Sequence, residues 1–122
     1  MKTILIVDDF HAMRRSISDV LERHGYRTVH SDRAGNALAL LADPTIAIDL
    51  VLADFRLPDK NGFELLHGIR HQSTKPDVPV VFMSAEQHPA RQFWNVGLKF
   101  SAWIRKPVSP EQLILKIERM LR

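Results

Sequence analysis

A chain of 122 residues, 45% hydrophobic and 25% charged, has room for one hydrophobic core and the composition of an ordinary globular domain. The absence of cysteine excludes disulfide frameworks, thiolate metal sites and thiol nucleophiles together, and no apolar run approaches the roughly 20 residues needed to span a bilayer. The net charge of +3 is scattered over residues such as Arg14, Arg23, Arg70 and Lys116 without an aromatic-and-basic stripe, so direct nucleic-acid binding is not expected.

The chain opens on Ile4-Leu5-Ile6-Val7, an apolar run closed at once by Asp8 and Asp9. A secretory core would be longer and would end in small residues, so the run is read as a strand and the protein as cytoplasmic. Met13, Ile17, Val20 and Leu21 then recur at helical spacing up to Gly25, the expected residue just past a helix end. Arg27-Thr28-Val29-His30 reads as a short, polar edge strand. Asp32 is expected to cap a second helix that carries Ala34, Ala37, Leu38 and Leu41 inward until Asp43-Pro44 breaks it.

Leu50-Val51-Leu52-Ala53 has no polar face, as in a strand buried on both sides of a parallel sheet, and it ends on Asp54. Taken alone, an Asp in that place is also an ordinary turn or cap residue. Leu57 to Gly62 is rich in turn formers, after which Phe63, Leu66 and Ile69 carry a third helix. Pro79 to Met83 is another wholly apolar strand, ending at Ser84-Ala85. His88-Pro89 fits the cap and first position of a fourth helix, which Gly97 should close. Ala102-Trp103-Ile104 reads as the last strand, ending at Arg105-Lys106-Pro107. Ser109-Pro110-Glu111-Gln112 resembles a capping box with proline at the first helical position, and Leu113, Ile114, Ile117 and Leu121 give the closing helix its apolar stripe.

Strand and helix therefore alternate through the whole chain, and crossover helices between strands demand a parallel sheet with helices on both faces and right-handed connections. A parallel sheet puts the carboxyl ends of its strands on one edge, where ligands bind in open α/β folds. Asp8, Asp9, Asp54, Ser84 and Lys106 all stand at such ends. If their strands are neighbours, three carboxylates, a hydroxyl and an ammonium converge. Three carboxylates in close contact do not all stay ionised without a cation, and oxygen-only ligands suit Mg²⁺. Lys106 and Ser84 suit phosphate oxygens, so the set describes phosphoryl transfer onto Asp54 to give an aspartyl phosphate. Individually, each of these residues also has an ordinary reading as a cap, a turn residue or a solvated charge.

The pieces Ile6-Val7-Asp8-Asp9, Asp49 to Asp54 with Leu57 to Gly62, Met83-Ser84-Ala85 and Lys106-Pro107, in this order and at these spacings, resemble the receiver domain of two-component response regulators, the CheY-like family. The resemblance covers essentially the whole chain. It implies a doubly wound, flavodoxin-like (βα)5 fold with a five-stranded parallel sheet of order 2-1-3-4-5 and helices on both faces. It also implies one receiver domain over residues 1–122 with no output domain in this chain. By the same match Asp54 is the phosphoacceptor, served by a sensor histidine kinase or phosphotransfer protein. Asp9 and Asp54 would ligate Mg²⁺ directly, Asp8 through water, with the Arg56 carbonyl as a further ligand. Ser84 would be the switch hydroxyl, the Ala85 backbone N–H a phosphate donor, and Lys106 the ion-pair partner of the phosphate. A cis peptide before Pro107 is implied as well, aiming Lys106 into the site.

Several positions depart from the family pattern. Trp103 occupies the aromatic switch position, where Tyr or Phe is commoner, and is either a toggle or simply a residue packed on the last strand. Lys99-Phe100 stands where a Gly-Ala pair is usual, so a shifted end to the fourth helix is expected. Phe93, Trp94, Phe100 and Trp103 make the fourth helix, last strand and closing helix unusually aromatic, an apolar surface for a downstream protein partner or, in part, core. Arg56 and Glu86 flank the expected phosphate entrance, where they would pair and slow attack by water, or remain two solvated charges. The resulting expectation is a phosphorylation-dependent signalling switch rather than an enzyme turning over an independent substrate. The alternative is a phosphorylation-independent docking adaptor; the presence of all five polar residues argues against it. A Mg²⁺-dependent phosphatase would need a second acid where Arg56 stands.

Overall fold

The computed structural model describes residues 1–86, 100 and 102–121. In chain order the elements are β1 (Thr3–Val7), α1 (His11–Arg23), β2 (Arg27–Ser31), α2 (Ala34–Ala42), β3 (Leu50–Asp54), α3 (Gly62–Gln72), β4 (Val80–Ser84), β5 (Ala102–Arg105) and α4 (Pro110–Met120). The strands form one five-stranded sheet in the order β2-β1-β3-β4-β5, and every pairing is parallel. The expected cap and stop of a helix between His88 and Gly97 lie outside the described residues.

The strand order follows from polarity. Every residue of β1 and β4 is buried, as are the first four of β3, so these apolar runs take the centre of the sheet. The mixed strands β2 and β5 take its edges, where solvent reaches one side. Because side chains alternate along a strand, each central strand serves two cores. Leu5, Val7, Val51, Ala53 and Phe82 face α2 and α3, whereas Ile4, Ile6, Leu52, Val81 and Met83 face α1 and α4. A run without a polar face is the sequence such a strand requires.

Helix ends mix local signals with tertiary ones. Gly25 follows α1 with φ of +89°, the left-handed stop expected of it. Asn61 accepts the Glu64 N–H at 3.0 Å while the Glu64 carboxylate accepts the Asn61 N–H at 3.2 Å, a capping box that starts α3 within the stretch of turn formers. Ser109 accepts the Gln112 N–H at 3.4 Å with Pro110 beside it, but its hydroxyl donates to Glu111 at 2.8 Å, so Gln112 is not the reciprocal partner.

Asp32 does not cap α2, contrary to the sequence expectation. Arg33 holds the N-cap position with no side-chain cap bond, and its guanidinium takes the Asp32 carboxylate at 3.1 and 3.2 Å. The Ser31 hydroxyl donates to the Arg33 carbonyl at 2.7 Å, which delays the helix start beyond the reach of Asp32. The free N–H groups of Ala34 and Gly35 donate instead to Asp59, at 2.9 and 2.8 Å, from the loop after β3. Among the described residues no helix is long and apolar enough to cross a membrane.

Candidate functional site

Parallel register aligns the carboxyl ends of the four strands that matter here. Val7 pairs with Ala53, Asp54 with Met83 and Ser84 with Arg105, so Asp8, Asp9, Asp54, Ser84 and Lys106 share one edge. Asp8, Asp9 and Asp54 can each offer a carboxylate oxygen within 4.8 Å of the others, and among the described residues this is the only such cluster of three potential metal-ligating groups. Lys106 Nζ donates to Asp54 Oδ2 at 2.9 Å and lies 3.9 Å from Asp8 Oδ2. One ammonium thus faces three carboxylates and cannot neutralise them.

Asp8 shows the consequence. Its side chain is only 1% exposed; Oδ1 accepts the Phe10 N–H at 2.9 Å, but the buried Oδ2 has no hydrogen-bond partner among the described residues. Burial pushes its pKa above the ordinary carboxylate value. The Phe10 N–H and Lys106 oppose this, and the charges of Asp54 and Asp9 reinforce it. A buried carboxylate oxygen among like charges, with no hydrogen bond among the described residues and only a 3.9 Å ion pair to Lys106, is what a hard cation satisfies, so these residues fit Mg²⁺. The backbone here is held from α1: Arg14 Nη1 donates to the Asp8 carbonyl at 2.5 Å.

On the other side of the site, Asp54 Oδ1 accepts the Arg56 N–H at 3.1 Å. Ser84 is buried, and its hydroxyl accepts the Glu86 N–H at 3.0 Å. The Lys106 N–H donates to the Ser84 carbonyl at 2.8 Å, and the Lys106–Pro107 peptide is cis, matching the implied geometry. Asp54, Arg56, Ser84, Ala85, Glu86 and Lys106 line a cavity of about 200 Å³. At its mouth the Arg56 guanidinium grips Glu86, with Nε 2.6 Å from Oε1 and a second, closer contact to the same oxygen. The expected pairing of these two exposed residues is therefore present.

Trp103 is half-buried. Its ring centroid lies 5.1 Å from that of Phe55 and 6.0 Å from those of Phe82 and Phe100, and its indole N–H donates to the Glu86 carbonyl at 3.0 Å. Phe100 packs on Phe82 at 5.8 Å, so Phe100 and Trp103 contribute to the rim of the core, while Phe93, Trp94 and Lys99 lie outside the described residues. Sequence reasoning missed the Arg14 tether and the demand on Gly62. A Cβ at Gly62 would collide with the Phe55 ring and stand 3.0 Å from Phe82. The Asn61-Gly62 pair signalled a turn, but the glycine is needed for room beneath the site.

The sheet order, with helices on both faces, defines a doubly wound protein of the flavodoxin-like class. Within that class, the sequence model of the response regulator receiver domain matches residues 4–118, and the chain belongs to this family of two-component signalling proteins. Its structure is similar to that of the CheY-like response regulator receiver domain protein from Methanospirillum hungatei JF-1, with a TM-score of 0.85 and 31% identity over 99% of this chain and 94% of that one. It is also similar to chemotaxis protein CheY4 of Vibrio cholerae, with a TM-score of 0.87 and 27% identity over 99% of each chain. The phosphate regulon transcriptional regulatory protein PhoB of Pseudomonas aeruginosa strain PAO1 is 31% identical over 121 residues, which make up 99% of this chain and 52% of PhoB. The chain spans about half the length of the curated relatives it matches.

Proposed function

We propose that this receiver domain is a phosphorylation-dependent switch in which Asp54 accepts a phosphoryl group from a histidine kinase or a phosphotransfer protein. The observation that carries the reading is the buried oxygen of Asp8, without a hydrogen-bond partner among the described residues and only 3.9 Å from Lys106, in an acidic trio with Asp54, whose other neighbour is the same ammonium. Asp8, Asp9, Asp54 and the Arg56 carbonyl would hold Mg²⁺, as receiver domains do, and the ion would supply positive charge for the incoming phosphoryl oxygens.

An Asp54 carboxylate oxygen attacks phosphorus, and the bond from phosphorus to the donor imidazole nitrogen breaks. The electron pair stays on that nitrogen, which then takes a proton, leaving an acyl phosphate on Asp54. Lys106 exchanges its carboxylate contact for a phosphate oxygen, and the Ala85 N–H donates to another. Ser84 turns its hydroxyl from the Glu86 N–H toward the phosphate. Glu86 also accepts the Trp103 indole N–H, so release at Ser84 loosens the segment that holds Trp103. The two groups form one two-state element that phosphate biases. A downstream protein would read that change on the surface of β5, α4 and the segment between β4 and β5, around Phe93, Trp94, Phe100 and Trp103. Arg56 and Glu86, paired over the mouth, slow attack by water on the acyl phosphate.

Intact mass after incubation with acetyl phosphate, with and without Mg²⁺, tests the reading. A single Mg²⁺-dependent phosphoryl adduct is expected, absent from Asp54→Asn. No adduct on folded, Mg²⁺-binding protein would overturn it and favour a docking adaptor that works without phosphorylation.

A further inference from the structure

Helix α3 carries two histidines, His67 and His71, at positions i and i+4, the spacing that stacks two side chains on one helix face. Both are exposed, their ring centroids lie 4.5 Å apart, and the ring planes are inclined by 44°. The buried side of α3, with Leu65, Leu66, Gly68 and Ile69, is turned to the core, leaving the pair on the outer side. His67 also borders a cavity of about 430 Å³ shared with Leu38, Phe63 and Gly68.

We propose that His67 and His71 chelate a borderline transition-metal ion (Cu²⁺, Ni²⁺ or Zn²⁺) through one imidazole nitrogen each, at a site separate from the acidic trio. The scaffold is already ordered. The Asn61–Glu64 capping box fixes the start of α3, and the Ser73 hydroxyl donates to the Ile69 carbonyl at 2.7 Å near its end. Binding therefore requires side-chain rotation only.

The electrostatics favour a cation. The pair occupies the second half of α3, toward the end where the helix dipole is negative. Glu64 lies one turn before His67 on the same face. The nearby cation Arg70 is directed to the carbonyls of Pro76 and Val78, at 2.9 and 2.7 Å. Lys60, which lines the cavity beside His67, is the one opposing charge on that wall among the described residues. Donor chemistry separates the two sites: imidazole nitrogens select Cu²⁺, Ni²⁺ or Zn²⁺, whereas the carboxylate trio selects Mg²⁺. Two protein ligands leave further coordination positions for water or for a ligand from a docked molecule.

Calorimetric titration of the whole chain with NiCl₂ or CuCl₂, in saturating Mg²⁺ to occupy the acidic trio, tests the site. One saturable site per chain is expected. His67→Ala and His71→Ala should each weaken it by about tenfold or more, because a single imidazole loses the advantage of the chelate, while His30→Ala should leave it unchanged. Paramagnetic Cu²⁺ should broaden the imidazole proton signals of His67 and His71 first. The proposal is overturned by wild-type affinity in both α3 variants, by loss of binding in His30→Ala, by broadening centred elsewhere, or by no saturable binding at all. Both α3 substitutions are on the surface, and an unchanged circular dichroism spectrum separates loss of the site from loss of the fold.

Discussion

Asp54 and Asp59 bracket one short loop yet sit in opposite electrostatic settings. At the strand tips, three carboxylates crowd one ammonium, and a buried oxygen of Asp8 is left without a hydrogen bond among the described residues. At the start of α2, the two oxygens of Asp59 accept the Ala34 and Gly35 N–H groups, one each. Burial acts upward on both Asp8 and Asp59. At Asp8 it prevails with the help of like charges, and the pKa is raised; at Asp59 the bonds from Gly35 and Ala34 outweigh it, and the pKa is lowered. A carboxylate whose oxygens are matched by the fold belongs to the fold. One that is buried and unmatched is kept for something the fold does not contain.

The comparison breaks most clearly at Asp8. Asp8→Asn should lower Mg²⁺ affinity by about tenfold or more, one ligand charge having been removed. The same variant should melt at a higher temperature than the parent in metal-free buffer, because an incompletely paired buried charge is gone. Calorimetric Mg²⁺ titration and thermal unfolding with chelator check the two halves. A parallel loss of affinity and stability would mean that Asp8 is structural, like Asp59.

Asp59→Ala should do the reverse, costing about 1 kcal/mol of stability, the usual effect of a lost helix cap, with Mg²⁺ affinity close to the parent value. Its pH dependence has a definite sign. A folded-state pKa below the ordinary 3.8 means that Asp59 stabilises the fold above that value and ceases to do so as the pH falls through the folded one. The difference between parent and variant should be flat near neutrality and vanish in acid, as read by urea unfolding at a series of pH values.

The smallest effect is expected at the mouth. Arg56 and Glu86 are exposed, and such pairs are worth about 0.2–1 kcal/mol. Arg56→Ala should therefore speed loss of the Asp54 phosphate by no more than about fivefold. An unchanged dephosphorylation rate would remove the pair from the chemistry.

Much of this was legible in the chain. Ile4 to Val7, Leu50 to Ala53 and Val80 to Met83 could be read as central strands because burial on both faces permits no polar residue. Arg27 to His30 could be read as an edge for the converse reason, and Gly25 as a helix stop because the turn there needs a positive φ. What escaped acts across distance. Asp59 caps a helix that begins 25 residues earlier in the chain, Trp103 donates to a carbonyl 17 residues away, and Phe55 lies where a side chain at position 62 would go. No spacing rule reaches these contacts, because they depend on which loops the packed helices bring side by side. Asp32 was misread for the same reason: its local pattern was that of a cap, but the Ser31–Arg33 contact and the nearby Asp59 won the position.

The sequence by itself determined that Asp8, Asp9, Asp54, Ser84 and Lys106 stand at strand ends, since apolar runs set the strands and alternation with helices makes the sheet parallel. Only the tertiary structure decided which of their atoms meet. Lys106 lies on Asp54 and beyond hydrogen-bond reach of Asp8, and one Asp8 oxygen is buried without a hydrogen bond among the described residues, because strand order and register, rather than local sequence, set the distances between charges at the edge of the sheet.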